Sequence, residues 1–233
     1  TRSSLDATLD AIGQAGAEHL KQIVFPDCRL GIGWSTTVSR MAPHLEKSES
    51  PARIVVNELA GSLLGLENPY SISGQIAQTL SASIEPLSVP VVVKNARARD
   101  AILKESSIAV ALEHARRCDI ALVGLGDVCD ACTLVRAGFM TVDQMAELRS
   151  RGAVGDILMR FYDASGRHIT SPLERRVISL AMEDIRRIPY IIVMAGGPTK
   201  LDAILGAMRG GLCHCLIADS QVAEDLASRA SSE

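Results

Sequence analysis

Aromatic side chains are scarce: one Trp, three Tyr and three Phe in 233 residues, 3% in all. Any core must therefore be aliphatic, resting on Val, Ile, Leu and Ala, as in strands buried on both faces of a parallel sheet. No apolar run approaches the ~18 residues of a membrane span, and the longest, around residues 188–195, has strand length. Positive charge is not in excess. The 24 Lys and Arg against 27 Asp and Glu give a formal charge of −3 and a pI near 6.0, which excludes a strongly basic nucleic-acid-binding domain. A signal peptide is missing too, since Arg2, Asp6, Asp10, Glu18 and Lys21 interrupt the first thirty residues and no apolar core lies between them. Six Cys without a secretory signal are expected as reduced thiols in a cytosol. There is no Gly-x-Ser-x-Gly elbow and no Ser/His/Asp order, and none of the five His is an obvious base. Fixed-period repeats, low-complexity tracts, charge blocks and a convincing linker are likewise lacking.

What is present is a chain 47% hydrophobic, which excludes disorder. Short β-like runs alternate with helix-like runs. Strands are predicted over residues 29–33, 53–57, 90–93, 120–123, 156–162, 190–194 and 213–217. Helices are predicted around 38–45, 73–81, 99–117, 141–148, 198–208 and 220–228, with Thr141 as an N-cap and Pro43 expected to bend or shorten its helix. The alternation predicts an α/β fold, a mainly parallel sheet with helices on both faces, and residues 139–172 read as a hairpin insertion. In such sheets ligands sit beyond the carboxyl ends of the strands, here residues 33–37, 57–63, 124–127 and 195–200.

Several constellations fall at those ends. Gly31-Ile32-Gly33-Trp34-Ser35-Thr36-Thr37 places a glycine turn and hydroxyls between a strand and a helix. That is how backbone N–H groups and the helix dipole hold a phosphate, although the same pattern also serves as an ordinary N-cap. Neither a Walker loop nor a dinucleotide fingerprint is completed. Ala195-Gly196-Gly197-Pro198-Thr199-Lys200 is a second glycine turn entering a helix. Its cation opposes the helix dipole, so an anionic ligand would give it a purpose; a solvated surface lysine is the plain alternative. Asp156 could accept paired sugar hydroxyls or simply serve a turn, and Arg136 could pair with a phosphate or stand on the surface. Cys129-Asp130-Ala131-Cys132 and Cys213-His214-Cys215 are read as small buried thiols rather than zinc ligands, because strand alternation puts His214 on the face opposite the two cysteines. No metal or cofactor is expected.

Taken in order, six of these pieces resemble the effector-binding domain of the SorC/DeoR-type bacterial transcriptional regulators. They are Gly31–Thr37; Ala60-Gly61 with Asn68; Val123-Gly124-Leu125-Gly126; Gly152–Ile157; Phe161–Gly166; and Ala195–Lys200 followed by Leu216-Ile217-x-Asp219. The likeness runs from about residue 10 to 227. It implies a fold similar to ribose-5-phosphate isomerase and glucosamine-6-phosphate deaminase, used for sensing and not for catalysis. It also implies a phosphorylated sugar or related small metabolite as effector, and a homodimer or homotetramer in the cytoplasm. Residues 1–233 would be the effector domain, with DNA bound through a preceding helix-turn-helix domain that this chain lacks; a first residue Thr1 in place of Met agrees with that. By position, Gly33, Trp34, Ser35, Thr36 and Thr37 would hold the phosphate, Gly61, Asn68 and Gly124 would line the site, Arg136 and Lys200 would neutralise charge, and Asp156 would accept hydroxyls. The chain departs from the family at Ser35, where Gly is frequent, and at Leu59, where some members carry Lys or Arg. The alternative is a sugar-phosphate isomerase or amino-sugar-phosphate deaminase on the same fold, which needs an acid/base pair such as Asp156 and Glu58.

Overall fold

A computed structural model describes residues 2–47, 53–62 and 72–230. In chain order the first half comprises α1 (Arg2–Ile23), β1 (Arg29–Ile32), α2 (Thr36–Ser39), β2 (Val55–Glu58), α3 (Ile72–Thr79), β3 (Ser83–Glu85), α4 (Ala96–Ile102), α5 (Ser106–Arg116) and β4 (Ile120–Val123). The second half comprises β5 (Gly126–Asp127), α6 (Thr133–Arg136), α7 (Val142–Ser150), β6 (Ala153–Ile157), β7 (Arg160–Asp163), β8 (His168–Ile169), α8 (Met182–Arg186), β9 (Tyr190–Met194), α9 (Leu201–Arg209), β10 (Cys215–Ile217) and α10 (Ser220–Ala230).

Six strands form one parallel sheet in the order β10-β9-β4-β1-β2-β3. Alternation along each strand sorts its residues between two cores. Leu30, Ile32, Val56, Ile120, Leu122 and Ile192 meet Ile12 and Leu20 of α1, Val38 of α2 and Ile76 of α3 on one face. Ala121, Val123, Ile191 and Val193 meet Ile108 and Leu112 of α5 and Ile204 of α9 on the other. A doubly wound sheet of mainly parallel strands is thus the observed class, as the runs of β-branched residues predict.

The second face also carries a four-stranded antiparallel sheet, β5-β6-β7-β8, over residues 126–169, overlapping the segment read as an insertion. Four local expectations are corrected. The strand predicted over 156–162 is a hairpin, β6–β7, which turns at Leu158 and Met159. Residues 90–93 do not join the main sheet. Pro90 and Val92 make single bridges, to Ser62 and Val177, and the sixth sheet strand is β3 instead. Residues 38–45 divide into α2 and a 3-10 turn, Ala42–His44, around Pro43. Residues 99–117 divide into α4 and α5. The 22-residue α1 had no counterpart in the sequence reading.

Candidate functional site

The order of strands decides where a ligand can sit. From β1 the chain moves outward to β2 and β3, then returns to the other side of β1 as β4. The two connections leave β1 and β4 in opposite directions, and a crevice opens beyond their carboxyl ends. A cleft of about 480 Å³ occupies that place.

The loop after β1 forms one wall. Ser35 has extended backbone, and its Oγ caps α2 by accepting from Thr37 N (3.1 Å) and Val38 N (3.4 Å). Thr36, Thr37 and Ser39 line the cleft beside it. Trp34 supplies an apolar wall, and its indole Nε1 is buried without a hydrogen-bond partner, a donor aimed at nothing in the protein. Gly124, at the end of β4, closes the floor. A Cβ there would stand 2.2 Å from Ser35 Oγ, so only glycine fits under this serine.

Asp156 comes from β6 and is 7% exposed. Its carboxylate lies over Gly126, where a Cβ would meet Oδ1 at 1.8 Å, and Oδ2 accepts from Met159 N at 3.0 Å. Burial pushes the Asp156 carboxyl up to about 6; Lys200 and the Met159 N–H hold it down, and Asp127 adds to the rise. Lys200 reaches the cleft from the Ala195–Lys200 turn, with Nζ 3.4 Å from Asp127 Oδ1. That turn is fixed by Asp219, whose two oxygens accept from Gly197 N (2.7 Å) and Val222 N (3.0 Å), tying it to α10. Asp219 therefore aims the lysine without touching the cleft.

Trp34, Ser35, Thr36, Thr37, Gly61, Gly124, Asp156 and Lys200 are thus brought to one hollow. Gly33 and Arg136 are not. Gly33 N donates to Leu122 O at 2.8 Å, so the sheet has taken its N–H. Arg136 ends the single turn of α6, exposed, with its guanidinium bonded to Thr133 Oγ1 at 3.3 Å; Cys132 and Thr133 at the start of that turn line the cleft instead. Asn68 lies outside the described residues. Leu59, the expected departure from a basic residue, is fully buried in the core against Gly31.

Glu58, Asp127, Ser73 and Leu158 also line the cleft. Strand-end position could have flagged the first two; Ser73 and Leu158 arrive through tertiary packing and carry no local signal. Glu58 is held at both oxygens, by Ser73 Oγ (2.6 Å) and Leu87 N (2.8 Å). Among the described lining residues Lys200 is the one cation, facing the three carboxylates of Glu58, Asp127 and Asp156, and no histidine lines the site. Burial pushes three of the thiols up, Cys28 to about 11 and Cys118 and Cys213 to about 12. Among the described residues no three His, Cys, Asp or Glu side chains are grouped to hold a metal ion.

Residues 2–228 match the family model Sugar-bind, a sugar-binding domain. The transcriptional regulator YjhU of Escherichia coli K12 is 32% identical over 217 residues, 92% of this chain and 66% of that protein. The deoxyribonucleoside regulator of Bacillus subtilis 168 is 30% identical over 92% of this chain and 69% of its own length. The crystal structure of the full-length sorbitol operon regulator SorC from Klebsiella pneumoniae superposes with a TM-score of 0.89 at 26% identity, covering 94% of this chain and 72% of that one. The chain spans about two thirds of the length of these curated relatives.

Proposed function

The chain belongs to the sugar-binding domain family of transcriptional regulators, and from that premise we propose that the strand-end cleft is the effector site. The effector is a phosphorylated sugar or related small metabolite, sensed and not converted. One observation carries this reading: loops from separate strand ends bring hydroxyls, a buried carboxylate and a lysine into one hollow of small-molecule size. The hydroxyls of Thr36 and Thr37, with Lys200, hold the phosphate. Asp156 accepts a pair of sugar hydroxyls, and Trp34 Nε1 donates to a ring or hydroxyl oxygen. Gly33 drops out of the contact set, and Arg136 acts at most from outside.

A sensor fits better than the isomerase or deaminase alternative. Such an enzyme needs an acid/base pair free to move protons, whereas both oxygens of Glu58 are committed to Ser73 and Leu87. The remaining third of each relative would correspond to the DNA-binding part, and the regulator would work in the cytoplasm as a homodimer or homotetramer. Effector binding would then change subunit packing and the spacing of DNA-binding domains, which requires unequal affinity for two states. Within the described residues no helix is long and apolar enough to cross a membrane.

The ratio of three carboxylates to one lysine favours a second reading, an unphosphorylated polyol. Calorimetric titration with sugars and their phosphate esters separates the two: at least tenfold tighter binding of an ester supports the first, and equal or reversed preference supports the second. Lys200→Ala and Thr36→Ala are each expected to weaken the preferred ligand about tenfold with an unchanged far-UV spectrum. Unchanged affinity in both variants removes this site, and sustained conversion of the ligand removes the sensor.

A further inference from the structure

A second hollow, of about 590 Å³, lies away from the cleft and shares no lining residue with it. Four arginines line it, from four separate stretches of chain: Arg99 in α4, Arg151 after α7, Arg160 opening β7, and Arg175 in the 3-10 turn Pro172–Arg176. One carboxylate, Glu174, faces them.

Two of the arginines are anchored. Arg160 is 5% exposed; its Nε and Nη2 donate to Leu180 O (3.0 Å) and Ser179 O (3.2 Å), and Nη1 stands 3.6 Å from Glu174. Arg99 Nε donates to Val177 O at 2.8 Å. The anchored pair repel: burial lowers the Arg160 pKa first, Glu174 opposes this, and Arg99 pushes it down again. Glu174 offers Oε2 to Arg160 and Oε1 to His168 Nε2 (2.8 Å) and Ser171 N (3.3 Å), so its single charge is shared and reaches neither Arg151 nor Arg175. Arg151 and Arg175 are exposed, and among the described residues their guanidiniums have neither ion pair nor hydrogen bond. Finally, Ser171 is buried at the groove. Its carbonyl accepts from Glu174 N (3.2 Å), which leaves Oγ, itself buried, with no hydrogen-bond partner.

Arg99 and Arg160 have carboxylate partners, Asp100 (3.2 Å) and Glu174 (3.6 Å), but two carboxylates do not balance four guanidiniums, and an anion joining Arg151 and Arg175 would. Guanidinium forks suit the tetrahedral oxygens of phosphate better than any other common anion. We propose that this groove is a second binding site, for a small molecule bearing a phosphate or diphosphate group, held by Arg151 and Arg175 against the fixed charges of Arg99 and Arg160 with Ser171 Oγ as a further contact.

The test uses pyrophosphate as probe, titrated calorimetrically into the chain at low salt. One component beyond any phosphate binding in the cleft is expected. Its affinity should fall at least tenfold in R151Q/R175Q, whose unliganded melting temperature should not fall, and should survive Lys200→Ala in the cleft. The exposed positions of the two arginines make folding of the double variant the expected result; should it not fold, R175Q alone carries the comparison. Absence of binding at millimolar pyrophosphate, equal affinity in R151Q/R175Q, or loss of binding in Lys200→Ala overturns the proposal. Sedimentation velocity covers the remaining occupant. A salt-sensitive dimer dissolved by R151Q/R175Q would mean that acidic groups of a second copy fill the groove, and this too overturns it.

Discussion

Asp156 is a carboxylate whose native environment works against its charge. Its folded value of about 6 lies above the ordinary 3.8. The folded state therefore holds the proton more tightly than the unfolded chain. The resulting stabilisation is complete below about pH 4 and is lost as pH rises through 6; at neutral pH the ionised group leaves the fold on the order of 3 kcal/mol poorer than the protonated one does. Asp156→Asn keeps an acceptor for Met159 N and discards the charge. It should raise the melting temperature at pH 7.5 and change little at pH 4, as scanning calorimetry at the two pH values would show. The same substitution should weaken the effector, since a neutral amide accepts hydroxyls less strongly than a carboxylate. Sequence alone singled out Asp156, Lys200 and the Ser35–Thr37 hydroxyls because glycine turns flank them. Gly33 and Arg136 fall outside the cleft for a physical reason: whether an N–H is spent in the sheet, or a side chain leaves the end of a one-turn helix toward solvent, depends on partners distant in the chain.

The β6–β7 hairpin shows how an element can hide in its own sequence. Tight hairpins usually turn on Asn-Gly or a similar pair, because both central residues take positive φ. Here the pair is Leu158 (φ 51°) and Met159 (φ 64°). No turn residue breaks the apolar run, so residues 156–162 read as one strand. The strain is held by burial of both side chains, at 6% and 0% exposure, and by Asp156 and Ser179, which bond the Met159 N–H and the Leu158 carbonyl. Beyond the turn, Tyr162 Oη donates to Ala203 O at 2.9 Å and fastens the hairpin to α9. Tyr162→Phe removes the second donor from a carbonyl inside α9 and should cost about 0.5–1.5 kcal/mol in urea unfolding, with no change in the slope of the transition. Elsewhere, α1 escaped notice because its inward face is built partly from Gly13, Gly16 and Ala17, a weak periodic signal. The three residues of β3 are too few and too exposed to announce a strand.

For the molecule as a whole, the α/β class was legible from alternating apolar runs, but the order β10-β9-β4-β1-β2-β3 was not, since parallel pairing joins residues far apart in sequence. That order is what brings the loops at Trp34–Thr37, Ala60-Gly61, Gly124–Gly126 and Lys200 to one cleft. It also makes the cleft a reporter on global stability, because its walls come from both halves of the chain. Effector at one hundred times its Kd should add about 2.7 kcal/mol to unfolding and raise the melting temperature accordingly. A ligand that binds with no thermal shift would have to bind the unfolded chain equally well.

Ser35 and Gly124 deserve a last thought as a pair. The hydroxymethyl group of one occupies the volume that the other leaves empty, so neither position is free to vary by itself. A chain of this fold with glycine at 35 can accept alanine at 124, whereas one with serine at 35 cannot. Substitution at these two sites is thus a single joint choice, and any redesign of the cleft has to make both halves of it together.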